Sequence, residues 1–259
     1  MLQFGPETTK KLEVAYLGAE FSARRRLNAQ ILRPMPGEHI LDLGCGNGMM
    51  TEELARTVGS EGCITGLDQS RDMLEAAKAR LADQPGVRLI EAGADAMPLE
   101  DQSQDGAVSV QVFEYISDLN AALREVHRVL KPGGRLVIGD MHFDTWAWAT
   151  DKPDRMQRMM ASWDEHLVHR DVSAKITAAL PDCGFTLDRV TPLTMSATAL
   201  HPDGMAQMLL ILMSGFAKAN AHLPEDEIDE WMAEQVKRAE EGRFFFSLTH
   251  FVVSARRNP

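Results

Sequence analysis

The sequence predicts an α/β fold built as a doubly wound, mostly parallel sheet. Two observations predict it. A short apolar run, Ile40-Leu41-Asp42-Leu43, breaks into alternating glycines (Gly44, Gly46, Gly48) and leads into Met49-Met50-Thr51-Glu52-Glu53-Leu54-Ala55, which reads as a helix. Short strand-like runs then alternate with helical stretches as far as Asp140, the pattern of parallel strands joined by helical crossovers. A chain of 259 residues holds one large domain, or a domain plus a cap, with a substantial core.

Residues 8–32 read as a helix, because Leu12, Tyr16, Ala19, Ala23 and Leu27 recur at helical spacing. Tyr16 is either a core residue of this segment or part of a flap over a ligand. Pro34 and Pro36 end the helix and hand over to the first strand. A buried strand, a tight glycine turn and a helix N-terminus in that order form a nucleotide-site geometry. Glycines let the backbone turn sharply and let a ligand approach where a Cβ would collide. The spacing then selects the ligand. A dinucleotide fingerprint needs a third glycine where Met49 stands, and no Gly-Lys-Ser/Thr triplet of a phosphate-cradling loop follows. The pattern is Asp42-x-Gly44-x-Gly46-x-Gly48, with Cys45 and Asn47 between the glycines. An acid at Asp42 repels a pyrophosphate but suits a ligand carrying an amine and a sulfonium.

After a turn over residues 59–62, Cys63-Ile64-Thr65-Gly66-Leu67-Asp68 reads as strand two. Asp68 sits at its carboxyl end, where an acid in nucleotide-binding sheets accepts from both ribose hydroxyls. Gln69 lies beside it, Ser70 suits a helix cap, and Met73 opens a helix whose first apolar residue could pack on an adenine. Strand three covers residues 87–92 and is followed by Gly93-Ala94-Asp95-Ala96, where small side chains leave room for a flat ring. Strand four covers residues 105–111 and continues to 116. A helix over 119–130, a turn at Lys131-Pro132-Gly133-Gly134-Arg135 and strand five over 136–140 complete the series.

These landmarks together resemble the class I S-adenosylmethionine-dependent methyltransferases, in particular the type 11 and quinone C-methyltransferase-like members. The likeness is tight over residues 35–140. It implies a Rossmann-like sheet of seven strands, the last strand antiparallel between the fifth and sixth, with a helical cap. Strands six and seven then fall at residues 183–190 and 243–255. It implies one domain over 1–259, made of an N-terminal helical flap (1–33), a cofactor-binding core (34–140) and cap segments (141–180 and 196–242). It also implies S-adenosylmethionine as cofactor. By the same resemblance, Gly44 and Gln111 offer backbone carbonyls to the ligand's ammonium group, with Asp42 acting nearby. Asp95 accepts from the adenine amine, and Ala94 and Ala96 line the ring.

The cap segments read as helical and contain all four tryptophans, Trp146, Trp148, Trp163 and Trp231, with Met156, Met159, Met160, Met205, Met208 and Met213. Such enrichment suits an adaptable apolar pocket wall, and equally the core of a helical cap or a dimer contact. Among eight histidines, His142 stands just past strand five, where open α/β sheets place ligands. It is the candidate base for a phenol or amine acceptor, or else a polar residue of the cap. Tyr115, beside Glu114, and Trp146 are candidate pocket residues.

Several chemistries are excluded by absent residues. The place after strand four holds Gln111-Val112-Phe113-Glu114, not the Asn/Asp-Pro-Pro-aromatic run of nucleic-acid amino-methylating enzymes. Asp140 and Asp144 alone make a thin carboxylate set for a catechol-type metal, and no metal is expected. With 38 acidic against 27 Lys and Arg residues, the charge of -11 argues against nucleic acid, which requires a basic face. Three scattered cysteines (Cys45, Cys63, Cys183) have no metal spacing and fit a reducing cytoplasm. No leader and no bilayer-spanning run are expected. The expected activity is methyl transfer to a small, partly apolar acceptor, as a monomer or homodimer. The alternative is a catalytically silent protein that binds the same cofactor in a binding or assembly role. A nicotinamide dehydrogenase is disfavoured by Met49.

Overall fold

The computed structural model describes residues 16–259. The expected N-terminal helix therefore lies partly outside the described residues. What is described is α1 (Ala19–Leu32). Its buried face is Phe21, Arg24, Asn28 and Leu32, whereas Ala19 is exposed and Ala23 and Leu27 are half-buried. The apolar spacing marked the helix, and Leu27 packs against the core, but two polar side chains, Arg24 and Asn28, share its buried side. Arg24 fits there with its guanidinium 4.8 Å from the Phe21 ring centroid.

The chain divides into two compact units. Residues 25–141, 171–192 and 251–259 form the sheet unit, and residues 16–24, 142–170 and 193–250 the helical unit. Among the described residues the sheet has seven strands: β1 (His39–Leu43), β2 (Cys63–Asp68), β3 (Val87–Glu91), β4 (Gln104–Val110), β5 (Leu130–Trp148), β6 (Phe185–Ala197) and β7 (Phe246–Arg257). They lie in the order β3-β2-β1-β4-β5-β7-β6, with β7 antiparallel. Parallel pairing sets Asp42 opposite Gly66 on one side and Val108 on the other.

The central strands of the sheet unit are buried on both faces, and their residues show why. Successive residues alternate between two apolar clusters: Ile40 against Leu41, Val108 against Ala107, Val137 against Leu136 and Ile138. One cluster gathers α4 (Leu119–Val129) and α6 (Val172–Ala179), and the other α2 (Met49–Val58) and Leu32. A near-continuous apolar strand is what burial on both faces requires. Between α2 and α4 stands α3 (Arg71–Arg80), capped by Ser70, whose hydroxyl accepts from Met73 N at 3.4 Å.

The helical unit packs α5 (Pro153–Asp164), α7 (Met205–Ala219) and α8 (Glu225–Glu240) together. Its tryptophans and methionines are mostly interior: Met156, Met159, Trp163, Met205, Met208, Met213 and Trp231 are buried. The Trp148 indole donates to Gln235 Oε1 at 2.9 Å inside this core.

Several strand limits depart from the sequence reading. β4 stops at Val110 because Gln111 takes a left-handed φ of 58°. The expected turn at residues 131–135 is a bulge within β5: Leu130 pairs with Gln104, yet Arg135 pairs with Gly106. β5 runs on to Trp148, so residues 141–148 are strand and not helix. Their signal was alternation, since Met141 and Phe143 are buried while His142 and Asp144 are not. β6 likewise continues through Pro192 to Ala197, and a proline is tolerated there because β6 is the edge strand. Among the described residues no helix is long and apolar enough to cross a membrane.

Candidate functional site

The glycine turn after β1 is shaped by contacts that leave no room for side chains. Gly44, at φ 72°, lies so near Val112 that a Cβ there would be 2.1 Å from its Cγ2 atom. Gly48, at φ 82°, opens α2 against Ala77 and Leu81. Gly46 differs: at φ 53° its Cβ direction meets nothing within 4 Å, so the crest of the turn faces open space. The Gly44 and Cys45 amides both donate to Leu67 O, at 2.7 and 3.0 Å, which ties the turn to the tip of β2. Arg80 Nε donates to Asn47 O at 3.0 Å and steadies the far side.

Asp68, half-buried at that tip, faces the turn. Its Oδ2 accepts from Gly46 N at 2.9 Å and its Oδ1 from Ser70 N at 2.8 Å. Each carboxylate oxygen retains capacity for a second donor, such as a hydroxyl. Asp42 is buried one strand over, its Oδ2 accepting from the Thr51 hydroxyl at 2.6 Å. Burial raises its pKa to about 7; the Thr51 hydrogen bond opposes that rise and the Asp68 charge adds to it. Burial, with both acids nearby, also pushes the Cys45 thiol well up, so it stays protonated and unreactive.

Asp95, Ala96, Gln69 and Met73 are exposed and Ala94 is half-buried, all in loops or first turns that follow β2 and β3. The Asp95 carboxylate folds back on Gly93, its Oδ1 2.7 Å from where a Cβ on that glycine would sit. The loop that carries it is clamped by Arg128, which donates to Leu99 O at 2.7 Å and Met97 O at 2.8 Å. Gln111 follows β4, its amide donating to Gly139 O at 2.8 Å. Tyr115 ends the short turn Phe113–Tyr115 and is exposed, while Glu114 beside it is buried.

The structure thus gathers Asp42, Gly44, Cys45, Gly46, Asn47, Gly48, Asp68, Gln69, Met73, Ala94, Asp95, Ala96 and Gln111 at the carboxyl ends of adjacent strands of one unit. That is where open α/β sheets bind ligands. Tyr16, His142 and Trp146 belong to the helical unit. Tyr16 is half-buried and edge-on to Phe21, with centroids 5.4 Å apart. Trp146 is half-buried and edge-on to Phe143 at 5.3 Å. His142 is half-buried, its carbonyl accepting from the Thr145 hydroxyl at 2.7 Å. Two other histidines of this unit are neutral near pH 7: burial pushes His166 down to about 4, and burial with the Arg24 charge pushes His250 well down. Among the described residues no group of three or more His, Cys, Asp and Glu could hold a metal ion.

Sequence reading passed over Thr51 and weighed Asp140 only as a thin metal carboxylate. Thr51 is a polar residue between apolar Met50 and Leu54 on the inner face of α2, and that interruption was its signal. Asp140, buried at the tip of the core part of β5, accepts from Val112 N at 2.9 Å. Only the fold brings that pair together.

A family model described as a methyltransferase domain matches residues 41–138. Over 259 aligned residues the chain is 32% identical to an uncharacterized 37.1 kDa protein in transposon TN4556 of Streptomyces fradiae, covering 95% of this chain and 72% of that one. It is also 39% identical over 110 residues to the 2-phytyl-1,4-naphtoquinone methyltransferase of a Nostoc species, 41% of this chain and 48% of that protein. The chain thus spans about half the length of that quinone methyltransferase. Among solved structures, the YcgJ protein of Bacillus subtilis matches with a TM-score of 0.62 over 92% of this chain and 99% of that one, at 16% identity. That likeness shows the fold alone.

Proposed function

The chain belongs to the class I S-adenosylmethionine-dependent methyltransferases, an enzyme family whose cofactor is S-adenosylmethionine, and we propose that it transfers the methyl group to a small, partly apolar organic acceptor. The observation that carries this reading is the open crest at Gly46, with the half-buried Asp68 carboxylate beside it and the buried Asp42 behind. Two acids around a bare main-chain bend suit a ribose diol and an ammonium group, and oppose a pyrophosphate.

When bound, S-adenosylmethionine supplies a methyl group already activated on a sulfonium, so the protein's work is alignment. In this reading Asp68 accepts from the ribose hydroxyls while keeping its bonds to Gly46 N and Ser70 N, so binding does not reorganise the turn. The carbonyls of Gly44 and Gln111 take the ammonium group, and Asp42 adds negative charge behind them. Asp95, with Ala94 and Ala96, holds the adenine, and Gln69 and Met73 flank the nucleoside. His142 is the candidate base for a phenol or amine acceptor, and Tyr115 and Trp146 are candidate acceptor contacts, each read from its own place in the chain. The apolar character of the acceptor is supported by the aromatic neighbours of Trp146 and by the naphthoquinone in the name of one relative.

The test uses S-adenosylmethionine labelled in its methyl group, offered with a naphthohydroquinone, a substituted phenol, an aliphatic amine and small molecules extracted from cells. Label is expected in an organic-soluble product. Label in none of them, from protein that binds the cofactor, refutes methyl transfer to a small acceptor.

A further inference from the structure

Gln111 and Val112 form a strained link. Gln111 is a non-glycine residue at φ 58°, a left-handed conformation that L-residues adopt only when their surroundings enforce it. Two hydrogen bonds enforce it here, both to the middle of β5. The Gln111 amide donates to Gly139 O at 2.8 Å, and the Val112 amide donates to the Asp140 carboxylate at 2.9 Å. The second bond fixes where the Val112 side chain goes. Its isopropyl group fills the space that a Cβ on Gly44 would take. The two residues proposed to present carbonyls to the ammonium group, Gly44 and Gln111, are therefore joined through Val112, and Asp140 anchors the join. Asp140 is only 1% exposed, so this carboxylate lies beneath the surface and touches the backbone proposed to meet the ligand.

We infer that Asp140 is a positioning residue: through Val112 it sets the Gln111 carbonyl against Gly44, and so selects for the amino-acid end of the cofactor. The inference rests on the proposed cofactor contacts. A purely structural role lowers affinity for any ligand of the nucleoside site. The positioning role lowers it only for ligands that carry the amino-acid tail.

Two probes separate these by calorimetric titration: S-adenosylhomocysteine, which has the tail, and 5′-methylthioadenosine, which lacks it. Asp140→Ala is expected to weaken S-adenosylhomocysteine by about tenfold, the size of one net hydrogen bond lost from a polar site, and to leave 5′-methylthioadenosine within about twofold. Asp140→Asn, whose amide oxygen still accepts from Val112, is expected to restore most of the selectivity. Equal weakening of both probes, or of neither, overturns the inference. Should Asp140→Ala fail to fold, Val112→Ala removes the contact with Gly44 and is expected to show the same selective loss, with unchanged selectivity counting against it. Native protein that binds neither probe removes the cofactor contacts themselves. That outcome is distinct from native protein that binds both while the variants keep its preference.

Discussion

Asp42 is a carboxyl placed where ionisation is costly. Unfolded, it titrates near 3.8, and burial raises it to about 7 in the folded chain. Between those values the folded protein keeps a proton that the unfolded chain has released. Its contribution to stability is therefore full below about pH 4 and lost as the pH rises through 7. At about 1.4 kcal/mol per unit the loss is about 4 kcal/mol. Asp42→Asn cannot ionise and is expected to melt several degrees above the native chain at pH 8 without cofactor, and to lose the decline between pH 4 and 7. Thermal denaturation across that range measures this, and a variant that follows the native profile rules it out. The proposed ammonium contact would reverse the sign by stabilising the ionised form, trading stability for cation affinity.

The elements deliver these residues through loops that are tied down rather than free. The loop after β3 depends on Arg128 of α4, whose guanidinium also pairs with Glu125 at 2.8 Å and Asp101 at 2.7 Å. Glu125 accepts in turn from Met97 N at 2.9 Å, and the Arg128 hydrogen bond holds its carboxyl below the usual range. Because Arg128 is 30% exposed, solvent screens part of this network. Arg128→Ala is expected to cost about 2 kcal/mol, given the hydrogen bonds to a charged group that are lost. The same change is expected to speed amide exchange over residues 95–101 while leaving β1 and β4 protected. Exchange that rises uniformly along the chain tells against a local clamp. α4 was legible as a helix from its apolar spacing, but Arg128 gave no sign of its loop partners Met97, Leu99 and Asp101, because they lie 27 to 31 residues back and meet it only in the fold.

For the whole molecule, ligand linkage supplies the decisive measurement. A ligand that binds only the folded chain stabilises it by about 2.7 kcal/mol at a hundred times its Kd. S-adenosylhomocysteine at that excess is expected to raise the melting temperature by several degrees, and NAD to leave it unchanged. A shift with NAD and none with S-adenosylhomocysteine reverses the ligand assignment drawn from Met49. The charge of -11 sets the sign of the protein's field, which favours cationic over polyanionic partners.

The sequence by itself determined the framework that carries the candidate site. β1, β2, β3, the glycine turn and Asp68 are all local statements, since strand tips, tight turns and helix starts are written in consecutive residues. The resemblance its landmarks carry also implied seven strands with the last between the fifth and sixth, as the sheet order has it. Tertiary structure alone decided the rest. It turned Arg24 and Asn28 inward on α1, carried β5 to Trp148 and β6 through a proline at the sheet edge, and buried Asp42 against Thr51. It also set Asp140 beneath Val112. Each of these depends on which distant residue fills the neighbouring space, and burial, strain and a shifted pKa are properties of that space rather than of the residue.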